Sequence, residues 1–170
     1  MPAAFAVRLL YLMLSGRAID AADSIHYIYM AQQFAAGDFL GFDENLPILY
    51  SALAALAHFA ISDWEAAFWA VSLIASTLTV VPVYFLSREL HGERAARTMA
   101  LLVVLWPWLI DYASRIQPEA LAVLLWFTSL WFVYRAVTQG GISLVFAPVA
   151  LFLLHLARPE GTILMLAAPF

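Results

Sequence analysis

Apolar residues run through this chain in long blocks separated by short polar stretches. Block length predicts membrane-spanning helices over Ala66–Ser87, with Pro82 as a tolerated kink, then Thr98–Tyr112, Ala120–Tyr134 and Ile142–Ala157. Several are shorter than the roughly 20 residues a span needs, so their ends are expected to run into the flanking residues. Met1–Leu14 reads as part of a first span. Leu46–Ser62 is apolar but begins at Pro47, contains His58 and stops at Asp63. It reads either as a span or as an amphipathic helix lying in the interface. One stretch breaks the pattern: AADSIHYIYMAQQFAAGDF, Ala21–Phe39, is half polar, opens with Asp23 and is helical in character for about four turns. The elements predict an all-α fold, a polytopic membrane helical bundle in one transmembrane domain. Residues 1–14 form a partial first span, 15–65 an outer loop with interfacial helices, and 66–170 the remaining spans.

Composition supports the membrane reading. The chain has 170 residues, 65% hydrophobic and only 12% charged, where an ordinary soluble domain carries about 25% charged residues. A net charge of −4 excludes a nucleic-acid partner, which calls for basic stripes. All eight basic residues are arginine, and with no cysteine there is neither a disulfide nor a thiolate metal site. Arg8 lies inside the first apolar stretch rather than before it, and no small-residue cleavage site follows, so that stretch is not read as a signal peptide. The sequence closes within an apolar run that starts near Thr162. Both ends look cut, and the expectation is an N-terminal piece of a larger protein.

Charge position orients the bundle. SRELHGERAART carries Arg88, Arg94 and Arg97, the densest basic cluster, which the positive-inside rule places in the cytoplasm. Alternation then puts the Arg135–Gly141 turn inside, and Asp63–Glu65, Arg115–Glu119 and Arg158–Glu160 outside. If Leu46–Ser62 skims the surface, Ser15–Asn45 is outside too. Ten acids then gather at the outer face, namely Asp20, Asp23, Asp38, Asp43, Glu44, Asp63, Glu65, Asp111, Glu119 and Glu160, with Arg17, Arg115 and Arg158 among them; only Glu89 and Glu93 fall inside. A polar outer face over an apolar bundle suits a surface active site, and it is also what any set of solvated loops looks like.

Asp23 is the leading candidate for chemistry. It is read as a helix N-cap, and a carboxylate beside a helix N-terminus stays ionised and can take a proton from a substrate hydroxyl. Tyr27, Ala31 and Phe34 follow on its face, while Ile25, Ile28 and Tyr29 offer apolar surface to the interface. Arg115 in DYASRIQPEAL and Arg158 in LARPEG each end a span, where arginine either reaches lipid headgroups or holds phosphate oxygens in a bidentate grip. Glu119 and Glu160 each follow a proline and open a helix, where an acid suits the dipole. No histidine shows a recognised zinc spacing; His26 with Asp23 is a weak candidate pair for a divalent metal. GDFLG, Gly37–Gly41, has a helix-packing spacing but sits in a polar loop.

VRLLYLMLSGRAIDAADSIHYIYMAQQFAAGDF resembles the end of the first span and the outer loop of the GT-C superfamily of membrane glycosyltransferases. The similar group is that of the protein mannosyltransferases and the aminoarabinose transferases. In that group an acid is followed by Tyr after four residues and Ala after eight, here Asp23, Tyr27 and Ala31. Pro47 and Tyr50 match its interfacial helix, Arg88–Arg94 its short basic turn, and YASRIQPEAL and ARPEG its later outer segments. The resemblance implies an inverting transfer of sugar from a polyprenyl-phosphate donor to a hydroxyl or amine of a glycan, lipid or protein acceptor. The setting is the outer face of a bacterial or archaeal plasma membrane. It implies Asp23 as base, Arg115 and Arg158 on the departing phosphate, Tyr27 and Glu119 as further substrate-binding residues, and a divalent metal as an open possibility. Many members carry two adjacent acids, whereas here Ser24 takes the second place. The contrasting reading is a non-enzymatic membrane protein, a transporter subunit or a partner-binding module, with Asp23 only a cap. A transporter calls for ionisable groups buried mid-span along a path, and the central spans carry almost none.

Overall fold

In a computed structural model, the structure describes residues 1–15, 22–38 and 46–167. The described residues form helices and turns with no strand: α1 (Pro2–Leu14), α2 (Ala22–Ala35), α3 (Ile48–His58), α4 (Trp64–Leu78), α5 (Val80–His91), α6 (Glu93–Leu105), α7 (Pro107–Tyr112), α8 (Glu119–Thr138), α9 (Ser143–Ala157) and α10 (Gly161–Ala167). Arg17, Asp20, Asp43, Glu44 and the last glycine of GDFLG lie outside the described residues.

Among the described residues, two helical bodies are long and apolar enough to cross a membrane, Trp64–His91 and Glu119–Thr138. The first contains α4 and α5, which meet at Thr79. Pro82 has no N–H, so the Leu78 carbonyl loses its usual partner four residues on. Thr79 steadies this joint by donating its hydroxyl to the Ala75 carbonyl at 2.9 Å. Asp63 caps the start of α4, its carboxylate accepting from the Ala66 N–H at 2.7 Å. Gly92, at φ +83°, turns the chain from α5 into α6, and Gly140 and Gly141, at +65° and +63°, turn it from α8 into α9. A side chain at any of the three would be strained.

The stretch expected as one span from Thr98 to Tyr112 is broken. Trp106, the residue before Pro107, is forced into an extended conformation, and the chain restarts as α7 with proline at its first position. Leu46–Ser62 yields an 11-residue helix. At 1.5 Å per residue α3 is about 16 Å long, half of the roughly 30 Å hydrocarbon core, so it is too short to cross.

The ends of the bundle are fixed by packing. Ser24 in α2 donates to the Ile116 carbonyl just before α8, and Arg158, after α9, pairs with Glu119 at the start of α8. These contacts put the start of α2, the start of α8 and the end of α9 together. At the opposite end of α8, Arg135 lies 3.7 Å from Glu89 of α5, and Trp131 donates to the same carboxylate at 3.1 Å. One core cluster fills the Asp23 end: Tyr27 and Ala31 of α2, Tyr50, Ala54 and Ala55 of α3, Phe68 and Trp69 of α4, with Ile116, Ala120, Leu121 and Ala157. Ile25 and Tyr29 project from the other side of α2, 65% and 61% exposed, which is apolar surface that suits lipid rather than water.

Arg8 is the unexpected member of the bundle. It is 0% exposed and faces no carboxylate among the described residues. Its guanidinium donates to the Val103 carbonyl at 2.9 Å, the Val104 carbonyl at 3.3 Å, the Ala4 carbonyl at 3.1 Å and the Ser76 hydroxyl. The reason is Pro107: it removes the N–H that the Val103 carbonyl would receive, and the turn at Trp106 carries the next N–H away. A cation at the carbonyl end of α6 also suits the helix dipole. Arg8 is thus a buried ionisable group that closes a helix end; it does not line a path.

Candidate functional site

Ser24 shows how α2 is seated. It is 1% exposed, and its hydroxyl bonds to the Ile116 carbonyl at 3.0 Å. One turn on, the Tyr27 carbonyl accepts from the Ser51 hydroxyl of α3 at 3.0 Å. Tyr27 packs edge-on against Tyr50, centroids 5.6 Å apart. Tyr50 is fully buried and shares a 2.7 Å hydrogen bond with the Ser72 hydroxyl of α4, which also bonds to the Arg115 carbonyl at 3.1 Å. A chain of small hydroxyls therefore ties α2, α3 and α4 to the segment that precedes α8. Sequence reasoning singled out none of these serines as part of the site. The signal was their position within apolar runs, where a hydroxyl must find a partner.

With α2 seated, Asp23 lies in the first turn of the helix, exposed. The helix is described from Ala22, so Asp23 lies within it rather than capping it from outside; the favourable dipole remains. His26 is exposed, and among the described residues no group of three His, Asp or Glu side chains is placed to hold a metal ion. Tyr27 is buried, and its phenol is pushed up to about 12, first by burial, then by the negative charges of Glu119, Asp23 and Glu160, with Arg158 acting the other way. The fields of these four charged side chains therefore reach one buried phenol, and three of the four are acids.

Glu119 opens α8. One carboxylate oxygen lies 3.5 Å from Arg158; the other, Oε2, is buried without a hydrogen-bond partner, a costly state for a carboxylate oxygen. Arg158 also lies 3.6 Å from Glu160, beside a 260 Å³ cavity that Trp126 and Gly161 help line. Gly161 is required there, because a Cβ would meet Leu154 Cγ at 2.7 Å. His155, at the same corner, bonds to the Thr162 hydroxyl at 2.8 Å.

Arg115 stands apart from Arg158. It pairs with Asp111 at 2.7 Å and lines a different cavity, of 490 Å³, with Tyr11, Trp108 and Asp111. The structure thus groups Asp23, Tyr27, Glu119 and Arg158. Arg115 sits at the same end, joined to them through the Ile116–Glu119 segment, with its own cavity. Each arginine already holds a carboxylate, so an incoming phosphate has to displace or share one.

A family model described as dolichyl-phosphate-mannose-protein mannosyltransferase matches residues 45–170, about three quarters of the chain. No curated protein and no solved structure matches.

Proposed function

The chain belongs to the dolichyl-phosphate-mannose-protein mannosyltransferase family, a membrane-integral family of GT-C glycosyltransferases, and from that premise we propose the reaction and its residues. A sugar passes from a polyprenyl-phosphate donor to an acceptor hydroxyl at the outer membrane face. The acceptor oxygen attacks the anomeric carbon from the side opposite the lipid phosphate, the carbon–oxygen bond to the phosphate breaks, and the configuration inverts. Asp23 takes the acceptor proton. It is exposed and in the first helical turn, where the dipole favours the ionised form it needs. Arg158 and Arg115 stabilise the phosphate as negative charge builds on it. Glu119 serves substrate binding by holding Arg158 in place at 3.5 Å, and Tyr27, held neutral and buried, supports the helix that carries Asp23.

The observation that carries this proposal is that Ser24, next to Asp23, is fastened to the Ile116 carbonyl just before α8, while Arg158 pairs with Glu119 at the start of α8, so that the three charged residues lie at one end of the bundle. A mere cap on α2 needs neither the arginine nor the orphaned carboxylate oxygen. The family membership also favours an enzyme over a transporter subunit or a docking module. The test is the Asp23→Asn variant of the intact protein, assayed for transfer of radiolabelled mannose from polyprenyl-phosphate mannose. Loss of transfer with unchanged yield and melting temperature is expected, and ordinary turnover would reduce Asp23 to a dipole partner.

A further inference from the structure

The end of the bundle opposite Asp23 carries a charged cluster that the proposed reaction does not use. Gly92 turns α5 into α6, and the turn brings Arg88 and Arg97 onto one carboxylate. Glu93 Oε2 lies 3.3 Å from Arg88 Nε, and Glu93 Oε1 lies 2.8 Å from Arg97 Nε. The Tyr84 hydroxyl, one turn before Arg88, donates to the same carboxylate and sits 3.0 and 2.9 Å from its two oxygens. A single acid thus braces guanidiniums from two helices.

Both arginines reach Glu93 through Nε, and their Nη groups donate to no described residue. The two side chains are 56% and 76% exposed. A guanidinium carries five N–H donors, so most of each fork stays open to a ligand. Arg94 adds a third cation. It is exposed, and only its backbone carbonyl is engaged, by the Thr98 hydroxyl. Three arginines against one carboxylate leave two uncompensated positive charges at the turn. Glu89 does not offset them, because Arg135 and Trp131 already hold it.

The surface that continues from the turn selects the ligand class. Leu101, Leu102 and Leu105 of α6 are all exposed. Leu101 stands four residues after Arg97 and seven after Arg94, so the three share a helix face, with Leu101 about 10 Å along the axis from Arg94. Cations at the rim of an apolar stripe match a phosphate above acyl chains, and guanidinium forks fit phosphate oxygens in a bidentate grip. An acidic protein segment or a free phosphate would meet the arginines and leave the leucines uncovered. A zwitterionic headgroup brings a cation of its own, which the excess positive charge repels.

We propose that the α5–α6 turn is a binding site for an anionic phospholipid, its phosphodiester gripped by Arg88 and Arg97 and its chains laid along the Leu101–Leu105 face of α6. Arg94 supplies the further charge that favours an anionic headgroup. The site rests on no step of the glycosyl transfer.

The experiment is native mass spectrometry of the whole chain released from mild detergent and titrated with dioleoylphosphatidylglycerol or dioleoylphosphatidylcholine. Wild type is expected to retain one phosphatidylglycerol saturably and to prefer it to phosphatidylcholine by about tenfold or more. The double variant Arg88→Lys, Arg97→Lys keeps every charge but loses the planar forks, and should bind phosphatidylglycerol several-fold more weakly. Arg94→Gln, which breaks no ion pair, should also weaken it several-fold. All three positions are exposed, so these variants are expected to melt at the wild-type temperature in phosphatidylcholine nanodiscs. Equal retention of the two lipids by wild type overturns the proposal. Unchanged phosphatidylglycerol binding in the double lysine variant overturns it as well, since only diffuse charge attraction would remain, and so does unchanged binding in Arg94→Gln. Displacement of the lipid by an equal concentration of inorganic phosphate would identify a free-anion site and overturn it too. Asp23→Asn should retain the lipid as wild type does, so this proposal and the catalytic one fail independently.

Discussion

Replacing Arg8 by methionine tests whether a buried cation stabilises this bundle or only burdens it. Three of its hydrogen bonds leave α1, to Ser76, Val103 and Val104. Hydrogen bonds from charged donors contribute about 1.5–3 kcal/mol each, so their loss removes about 4.5–9 kcal/mol. Methionine also escapes the cost of an arginine at membrane depth, about 2.5–3.5 kcal/mol on insertion scales. The difference is about 1–6.5 kcal/mol of destabilisation. The Val104 bond is long at 3.3 Å, which places the expected loss at about 2–3 kcal/mol. For a chain of this size that is a fall in Tm of about 4–12 °C. The assay is thermal unfolding in a mild detergent, read as the fraction that stays monodisperse on size exclusion. Amide exchange in α7 should quicken in the same variant, because the Ser76 anchor on Leu109 loosens. Arg8→Lys, which keeps the charge but not the planar fork, should fall between the two. An Arg8→Met protein that melts at or above the wild-type temperature would refute the reasoning, for then desolvation outweighs the carbonyl contacts.

Two further outcomes follow from the seating of α2. Ser24→Asp, which restores a second acid to the motif, should destabilise by about 3–5 kcal/mol, since it drives a carboxylate against the Ile116 carbonyl at a sealed position; denaturant unfolding that matches wild type would contradict this. Tyr27 carries a pH signature: its folded phenol is held up to about 12, above the roughly 10 of an unfolded tyrosine. Its contribution is complete below about pH 10 and is lost as the pH rises toward 12, because only the unfolded state releases its proton in that window. Thermal melting across that window should fall less steeply in Tyr27→Phe than in wild type, and equal slopes would count against the assignment.

Much of the fold was legible in the sequence because apolar length and breaker residues act locally. The long runs predicted the helical bodies, and Asp63, Gly92 and the Gly140–Gly141 pair mark their ends where capping and positive φ require them. Pro107 lies inside the stretch expected as one span, and proline is tolerated in membrane helices when other groups meet the freed carbonyls. Whether it kinks or breaks a helix depends on what those groups are, and here they come from Arg8, nearly a hundred residues away.

The candidate site divides along the same line. Residue types and spacing nominated Asp23, Tyr27, Glu119, Arg115 and Arg158, because acids and arginines stand out against an apolar chain. Only the tertiary structure decided that Arg158 pairs with Glu119 while Arg115 pairs with Asp111 and lines a cavity of its own. In sequence, Ser24 stands where many family members carry a second acid; in the fold it is a buried hydroxyl that fastens the helix carrying Asp23. Local propensity and apolar length are written in neighbouring residues and can be read from them. Which buried donor meets which orphaned carbonyl is settled by distant segments that become neighbours only when the bundle closes.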